Sequence, residues 1–116
     1  MVVDHLESGR ARDLVFHALA DATRRDLLAR AIVAEQSVSA LARNYSMSFA
    51  AVQKHVAVLE RANLVTKRRH GREQLVQGNP ATLRTATGLL ESYERLWIER
   101  ADRIAGLLTD QKGDTA

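Results

Sequence analysis

The chain of 116 residues contains no cysteine, one proline and few aromatic residues. Without cysteine it cannot form disulfides, thiolate metal sites or thiol redox switches. It lacks any apolar run approaching the ~20 residues of a membrane span, and its first residues lack the basic and apolar segments of a signal peptide. A chain of this length forms one domain. We therefore expect a single cytoplasmic domain with no membrane segment.

Alanine, leucine and arginine dominate the composition, which favours helix. The apolar spacing and the capping residues predict a mainly helical fold with five helices and one small β-hairpin. Helices are predicted over about Ala11–Ala20, after the cap Asp21, over Val38–Asn44 capped by Ser37 or Ser39, over Phe49–Ala62 capped by Ser48, and over Pro80–Leu108 capped by Asn79. The apolar positions of the first helix are Leu14, Val15 and Leu19, and the second helix is predicted to carry an apolar stripe of Leu27, Leu28, Ala31 and Ile32.

Positive charge is concentrated in residues 36–72, where seven basic residues accompany a single acid, Glu60, while the rest of the chain is mildly anionic. This stretch reads as a short helix, a turn around residues 45–48, a second helix and a basic hairpin turned at Gly71. A helix-turn-helix sets its second helix at an angle that suits the DNA major groove. The pattern predicts a winged helix-turn-helix with a two-stranded wing. Two alternatives remain: a helical bundle with a charged hairpin, and a winged-helix module that binds proteins.

Four segments together resemble the ArsR (arsenic-repressor-like) family of winged helix-turn-helix regulators. They are residues 16–28, residues 47–65, the hairpin 68–72 and the Asn79-Pro80 start of the last helix. The resemblance covers roughly residues 11–108, and residues 1–10 and 109–116 are expected to be flexible ends. It implies a homodimer built on the first and last helices, which binds double-stranded DNA at an imperfect inverted repeat and usually represses transcription.

The resemblance places the DNA-contacting residues on the second helix of the motif, beside its turn and on the wing. The Ser48 hydroxyl is expected to meet a phosphate, Gln53 could pair with adenine, and Lys54 could pair with guanine or a phosphate. His55 is expected to contact the DNA backbone or to support the helix, rather than to read a base. The residues expected to contact DNA are Arg43, Ser46, Ser48, Phe49, Ala50, Gln53, Lys54, His55, Lys67, Arg68, Arg69, His70 and Arg72.

The last helix carries an apolar stripe too broad for the preceding residues to cover. Leu83, Leu90, Trp97 and Ile104 recur every seven residues. A second copy of the chain is the economical partner, and the expected interface residues are Leu14, Leu83, Leu90, Tyr93, Trp97 and Ile104. Tyr93 and Trp97 could instead line a pocket for a small-molecule effector of unknown identity, although interface packing is favoured.

The metal-sensing features of the family are missing. There is no cysteine pair on the third helix and no histidine on the last, and the four histidines lie in different predicted elements. Carboxylates alone bind transition metals poorly. No nucleophile elbow, dinucleotide-binding or phosphate-binding glycine motif or zinc-protease motif is present. We therefore expect no metal, no cofactor and no enzymatic activity.

Overall fold

The computed structural model describes the backbone of residues 2–114 and the side chains of residues 9–109. Within that part of the chain there are five helices and three strands, which confirms the predicted fold class. The elements are α1 (Val2–Leu19), α2 (Ala22–Val33), β1 (Gln36–Ser37), α3 (Val38–Ala42), α4 (Phe49–Arg61), β2 (Val65–His70), β3 (Glu73–Gly78) and α5 (Pro80–Asp114). The chain divides into two compact units, residues 1–86 and 87–116, with the boundary inside α5.

Short polar side chains set the starts of three helices, as the sequence predicted. Each accepts a hydrogen bond from a backbone N–H of the first turn, which would otherwise lack a partner. The bonds run from Arg24 N–H to Asp21 Oδ2 at 3.0 Å, from Ala40 N–H to Ser37 Oγ at 3.0 Å, and from Ala51 N–H to Ser48 Oγ at 3.1 Å. Of the two serines considered for α3, Ser37 is therefore the cap.

The core of the first unit lies between α1, α2, α3, α4 and the sheet. Its largest fully buried side chains are Leu27, Leu41, Val52, Val56, Leu59, Leu64, Val65 and Val76. Helix α4 turns Val52, Val56 and Leu59 inward, as their spacing predicted. Within the predicted apolar stripe of α2, Ala31 is buried whereas Ile32 is 51% exposed, because neighbouring helix positions point about 100° apart and Ala31 takes the core-facing one.

The wing belongs to a three-stranded antiparallel sheet in the order β1-β3-β2, rather than to a two-stranded ribbon alone. The added strand is β1, in which Gln36 pairs with Val76 and Ser37 pairs with Leu75. Two residues are too few for a strand pattern in the sequence, so β1 was missed. It gives the hairpin a third strand and ties it to the start of α3.

The two longest helices extend beyond their predicted ends. Helix α1 begins at Val2 rather than near Ala11, and α5 continues to Asp114 rather than ending at Leu108. Neither extension contains a proline to stop the helix. Met1 and residues 115–116 lie outside the described residues, and the flexibility expected for 1–10 and 109–116 stays a prediction.

Candidate nucleic-acid interface

Helix α4 presents the predicted base-reading residues on its surface. Phe49, Ala50, Gln53 and Lys54 are all exposed, while the opposite side of the helix is buried in the core. Ser48 is exposed at the N-terminus of α4, where its Oγ is the cap. The first turns of α4 therefore combine free backbone N–H groups, a hydroxyl, an amide and an ammonium group, which suits phosphate and base contacts.

The turn between α3 and α4 is fixed to α2 through Tyr45. The Tyr45 hydroxyl donates to Asp26 Oδ2 at 2.5 Å, and Asp26 also pairs with Arg30 at 2.9 Å. Burial, followed by the hydrogen bond to Asp26, raises the pKa of Tyr45 to about 12. The hydrogen bond from Tyr45 and then that from Arg30 lower the pKa of Asp26. This network holds the turn next to exposed Arg43 and Ser46.

His55 lies on the side of α4 that faces α2 and is half-buried. Its Nδ1 is 3.4 Å from Arg24 Nη1 and 3.9 Å from Asp21 Oδ2. Arg24 also donates from Nε to Ala18 O at 2.8 Å and from Nη2 to His17 O at 3.0 Å, so it joins the end of α1 to α2 and α4. Of the two roles predicted for His55, the geometry favours support of the helix.

The C-terminal end of α4 is held by an asparagine pair. Asn63 has a positive φ of 60°, which asparagine tolerates better than most residues. The Asn79 side-chain amide donates to Asn63 O at 3.0 Å, and the Asn79 N–H donates to Leu64 O at 2.8 Å. The end of β3 is thereby attached to the link between α4 and β2, which sets where the wing leaves the helix.

The wing is a regular hairpin in which His70 pairs with Glu73 across a two-residue turn. Of the turn residues Gly71 and Arg72, only Gly71 has a positive φ, at 63°, as a type II′ turn requires. Arg69, His70 and Arg72 are exposed around this turn, and Arg69 Nε donates to Gly71 O at 3.3 Å.

The predicted DNA-contacting cations divide into two groups. Lys67 pairs with Glu60 at 3.3 Å, and Arg68 pairs with Glu35 at 2.7 Å. Among the residues whose side chains the structure describes, the remaining cations have no acidic partner. They are Arg43, Lys54, Arg69 and Arg72. The DNA contacts themselves stay a prediction.

The second unit carries a continuous exposed apolar surface on α5. Leu90, Tyr93, Trp97 and Ile104 of the predicted interface are all exposed, Trp97 to 68%. The same segment exposes further large apolar side chains: Leu96, Ile98, Leu107 and Leu108. In the first unit, the predicted interface residues Leu14 and Leu83 instead pack partly buried against the core.

The Trp97 ring lies under the guanidinium of Arg100, 5.4 Å from its centroid. Together with Ala101 and Ile104 these residues line an apolar recess of about 200 Å³. Pockets for small molecules usually occupy ~300–1,000 Å³, so the recess is small for an effector site. The exposed ring and aliphatic side chains are better suited to packing against another protein surface.

Among the side chains of residues 9–109, no three His, Asp or Glu groups come together as metal ligands would. No described helix combines the length and the apolar character needed to cross a bilayer.

Sequence reasoning missed the residues that position the interface. Arg24, Asp26, Glu35 and Asn63 act through partners far away in sequence, or through a special backbone conformation. Their residue types are common on helix surfaces and in loops, so no local pattern distinguishes them. Only the folded chain brings them to their partners.

No protein-family profile matches this chain. The HTH-type transcriptional regulator Rv2034 of Mycobacterium tuberculosis is 33% identical to it over 106 residues, covering 91% of this chain and 96% of that relative. The structure is similar to that of an ArsR-like transcriptional regulator from Rhodococcus sp. RHA1, with a TM-score of 0.74 and 32% identity, covering 84% of this chain and 92% of that one. It also resembles the homodimeric winged helix-turn-helix DNA-binding domain of Mb0332 from Mycobacterium bovis, a possible ArsR-family regulator, with a TM-score of 0.61 and 20% identity, covering 79% and 83% of the two chains.

Proposed function

This chain belongs to the ArsR family of winged helix-turn-helix transcriptional regulators, and we propose that it is a homodimeric repressor of an inverted-repeat operator. Its relatives confirm the predicted family and a DNA-binding regulator rather than an enzyme. The observation that carries the proposal is the set of uncompensated cations beside an exposed helix face, namely Arg43, Lys54, Arg69 and Arg72. The protein acts in the cytoplasm, where its operator lies.

Recognition divides between the helix and its flanking cations. Helix α4 enters the major groove, with Gln53 and Lys54 reaching base edges and Ser48 meeting a phosphate at the helix start. Arg43 beside the turn and Arg69 on the wing bind phosphates on either side. In a homodimer the two copies of α4 are related by a two-fold axis, so the operator is an inverted repeat, and they enter successive major grooves about 34 Å apart.

The exposed apolar surface of α5 supports the homodimer. A helix that leaves Leu90, Trp97 and Ile104 in water gains free energy when a second copy covers them. The Mycobacterium bovis relative is described as homodimeric. Metal ions do not control this regulator, because the chain has no cysteine and no three His, Asp or Glu side chains come together among residues 9–109. Addition of arsenite or Zn²⁺ should accordingly leave DNA binding unchanged.

Selection of bound duplexes from a random pool tests the function. We expect an inverted repeat with half-sites about one helical turn apart. Binding to that duplex should weaken with salt by a log–log slope of about −0.9 for each neutralised phosphate. Recovery of no preferred sequence, or a binding constant indifferent to salt, would contradict the proposal.

The dimer is tested by changing the centre of the apolar surface. Trp97→Glu introduces a charge that would be buried in the interface, so the protein should sediment as a monomer and lose affinity for the inverted repeat. Trp97→Phe retains an apolar ring and should remain dimeric. If Trp97→Glu retains the dimer mass at micromolar concentration, this helix face is not the interface.

A further inference from the structure

Strand β2 carries four consecutive cationic or titratable residues, and its alternation sends neighbours to opposite faces of the sheet. Lys67 is paired in register with Val76, which is buried in the core, and Arg68 is paired with Leu75 on the other face. The adjacent cations Lys67 and Arg68 therefore lie on opposite faces of the sheet. Each forms an ion pair with an acidic residue on its own face.

Arg68 forms a two-point ion pair that spans the sheet. Its Nη2 donates to Glu35 Oε1 at 2.7 Å, and its Nε donates to Glu35 Oε2 at 3.2 Å. Glu35 directly precedes β1, and β3 lies between β1 and β2, so the pair links the two outer strands across the central one. The Glu35 side chain is only 27% exposed, and its hydrogen bonds to Arg68 are the main reason that its pKa is lowered.

Lys67 is attached instead to α4, the recognition helix of the proposed DNA complex. Its Nζ lies 3.3 Å from Oε1 of Glu60, which belongs to the last turns of α4. One face of β2 is thus joined to β1 through Arg68, and the other is joined to α4 through Lys67. Arg69 and Arg72, which follow toward the turn, have no acidic partner among the described side chains.

We propose that Glu35 and Glu60 make Arg68 and Lys67 positioning residues of the wing, and that the wing binds DNA phosphates through Arg69 and Arg72. The inference rests on the proposed DNA-binding function and narrows the set of five wing residues expected to touch DNA. The Arg68 side chain is 59% exposed, but to reach a phosphate it would have to give up two hydrogen bonds to the Glu35 carboxylate. Arg69 and Arg72 give up no ion pair.

The two ion pairs contribute little to the free energy of unfolding, because exposed ion pairs are weak in water. Their main effect is on the position of the wing. Pairing of β1 with β3 and the burial of Val65 and Val76 hold the base of the hairpin, and the two ion pairs attach β2 from both faces just beyond that base. Fixing one strand from both faces sets the distance between the wing turn and the recognition helix, and thereby selects which phosphates the wing reaches.

The salt dependence of binding separates a positioning cation from a phosphate contact. With a fluorescent duplex of random sequence as the probe, Arg69→Ala and Arg72→Ala should each reduce the log–log salt slope by about 0.9 per wing. Arg68→Ala and Lys67→Ala should weaken binding several-fold and leave the slope unchanged. Arg84→Ala, which removes a cation outside the motif and the wing, is the matched control for net charge, and circular dichroism checks that every variant is folded.

Three variants of the Glu35–Arg68 pair complete the test. Glu35→Gln should weaken binding without raising the salt slope, because the freed wing is less well placed. The exchange Glu35→Arg with Arg68→Glu rebuilds the pair in reverse and should restore the affinity that Arg68→Glu alone loses. A slope that falls by about 0.9 per wing in Arg68→Ala, a slope that rises in Glu35→Gln, or an exchange that fails to restore binding would overturn the inference.

If the wild-type protein binds no duplex, the DNA-binding proposal fails, and the wing contacts of Arg69 and Arg72 that rest on it fail with it. If the wild-type binds with a steep salt slope and Arg68→Ala lowers that slope as much as Arg69→Ala does, only the positioning role is wrong. Equal slopes for the wild-type and for Arg69→Ala would remove the wing contact assigned to Arg69.

Discussion

Substitutions at Ser48 should distinguish the effect of helix capping on stability from the effect of a phosphate contact on DNA affinity, because the Ser48 hydroxyl takes part in both interactions. The oxygen accepts the Ala51 N–H at 3.1 Å, which leaves the O–H free to donate to a phosphate. Ser48→Ala removes both interactions. Loss of the cap should reduce the free energy of unfolding by about 1 kcal/mol, or roughly 4–8 °C in Tm. Loss of a hydrogen bond to a charged phosphate costs about 1.5 kcal/mol, or roughly tenfold in affinity for each contact.

Two other substitutions make the two effects independent. Ser48→Asp keeps a capping oxygen, so Tm should stay near the wild-type value, but the carboxylate repels phosphate and DNA binding should fall further than in Ser48→Ala. Ser37→Ala removes the corresponding cap of α3, a buried hydroxyl that accepts the Ala40 N–H at 3.0 Å, and should lower Tm with little effect on affinity.

Thermal unfolding at one fixed protein concentration and fluorescence anisotropy with a labelled duplex measure the two quantities. The reasoning is refuted if Ser48→Asp binds DNA as tightly as the wild-type protein. It is also refuted if Ser37→Ala loses as much affinity as Ser48→Ala, since the loss would then follow stability rather than contact.

Two further predictions concern backbone packing and pH. A Cβ at Gly78 would lie 2.6 Å from Ile32 Cγ1, so Gly78→Ala should lower the free energy of unfolding by about 1–3 kcal/mol. A Cβ at Gly88, inside α5, would meet no atom within 4 Å, so Gly88→Ala should raise helix stability by up to about 1 kcal/mol, and thermal unfolding compares the two variants. In a Tyr93→Phe variant, ultraviolet absorbance should show Tyr45 ionising near pH 12, the pKa expected from its burial and its bond to Asp26. Because this pKa is raised above the ordinary 10.0, the contribution of Tyr45 to the free energy of unfolding is complete below pH 10 and is lost as pH rises toward 12. Ionisation of Tyr45 near pH 10 would contradict its burial and its hydrogen bond to Asp26.

Local signals in the sequence were sufficient for the elements of the motif. The serine before α4 and the four-and-three spacing of Val52, Val56 and Leu59 act within one helix, so their effect does not depend on distant residues. The glycine turn of the wing is equally local. Element ends were less well determined, since α1 and α5 continue past the expected limits and a helix without a strong stop signal has no fixed end.

Composition, capping and periodicity predict a cysteine-free, mainly helical chain with a basic helix-turn-helix and wing, because each of these signals acts over a few residues. Which cations lack an acidic partner among the described side chains follows from the folded chain, because ion pairs join residues that are distant in sequence. Arg68 and Glu35 lie more than thirty residues apart, and their ion pair exists because β1 and β2 occupy opposite edges of one sheet. The charge of each side chain follows from its residue type, whereas the partner that neutralises that charge depends on how the strands and helices pack.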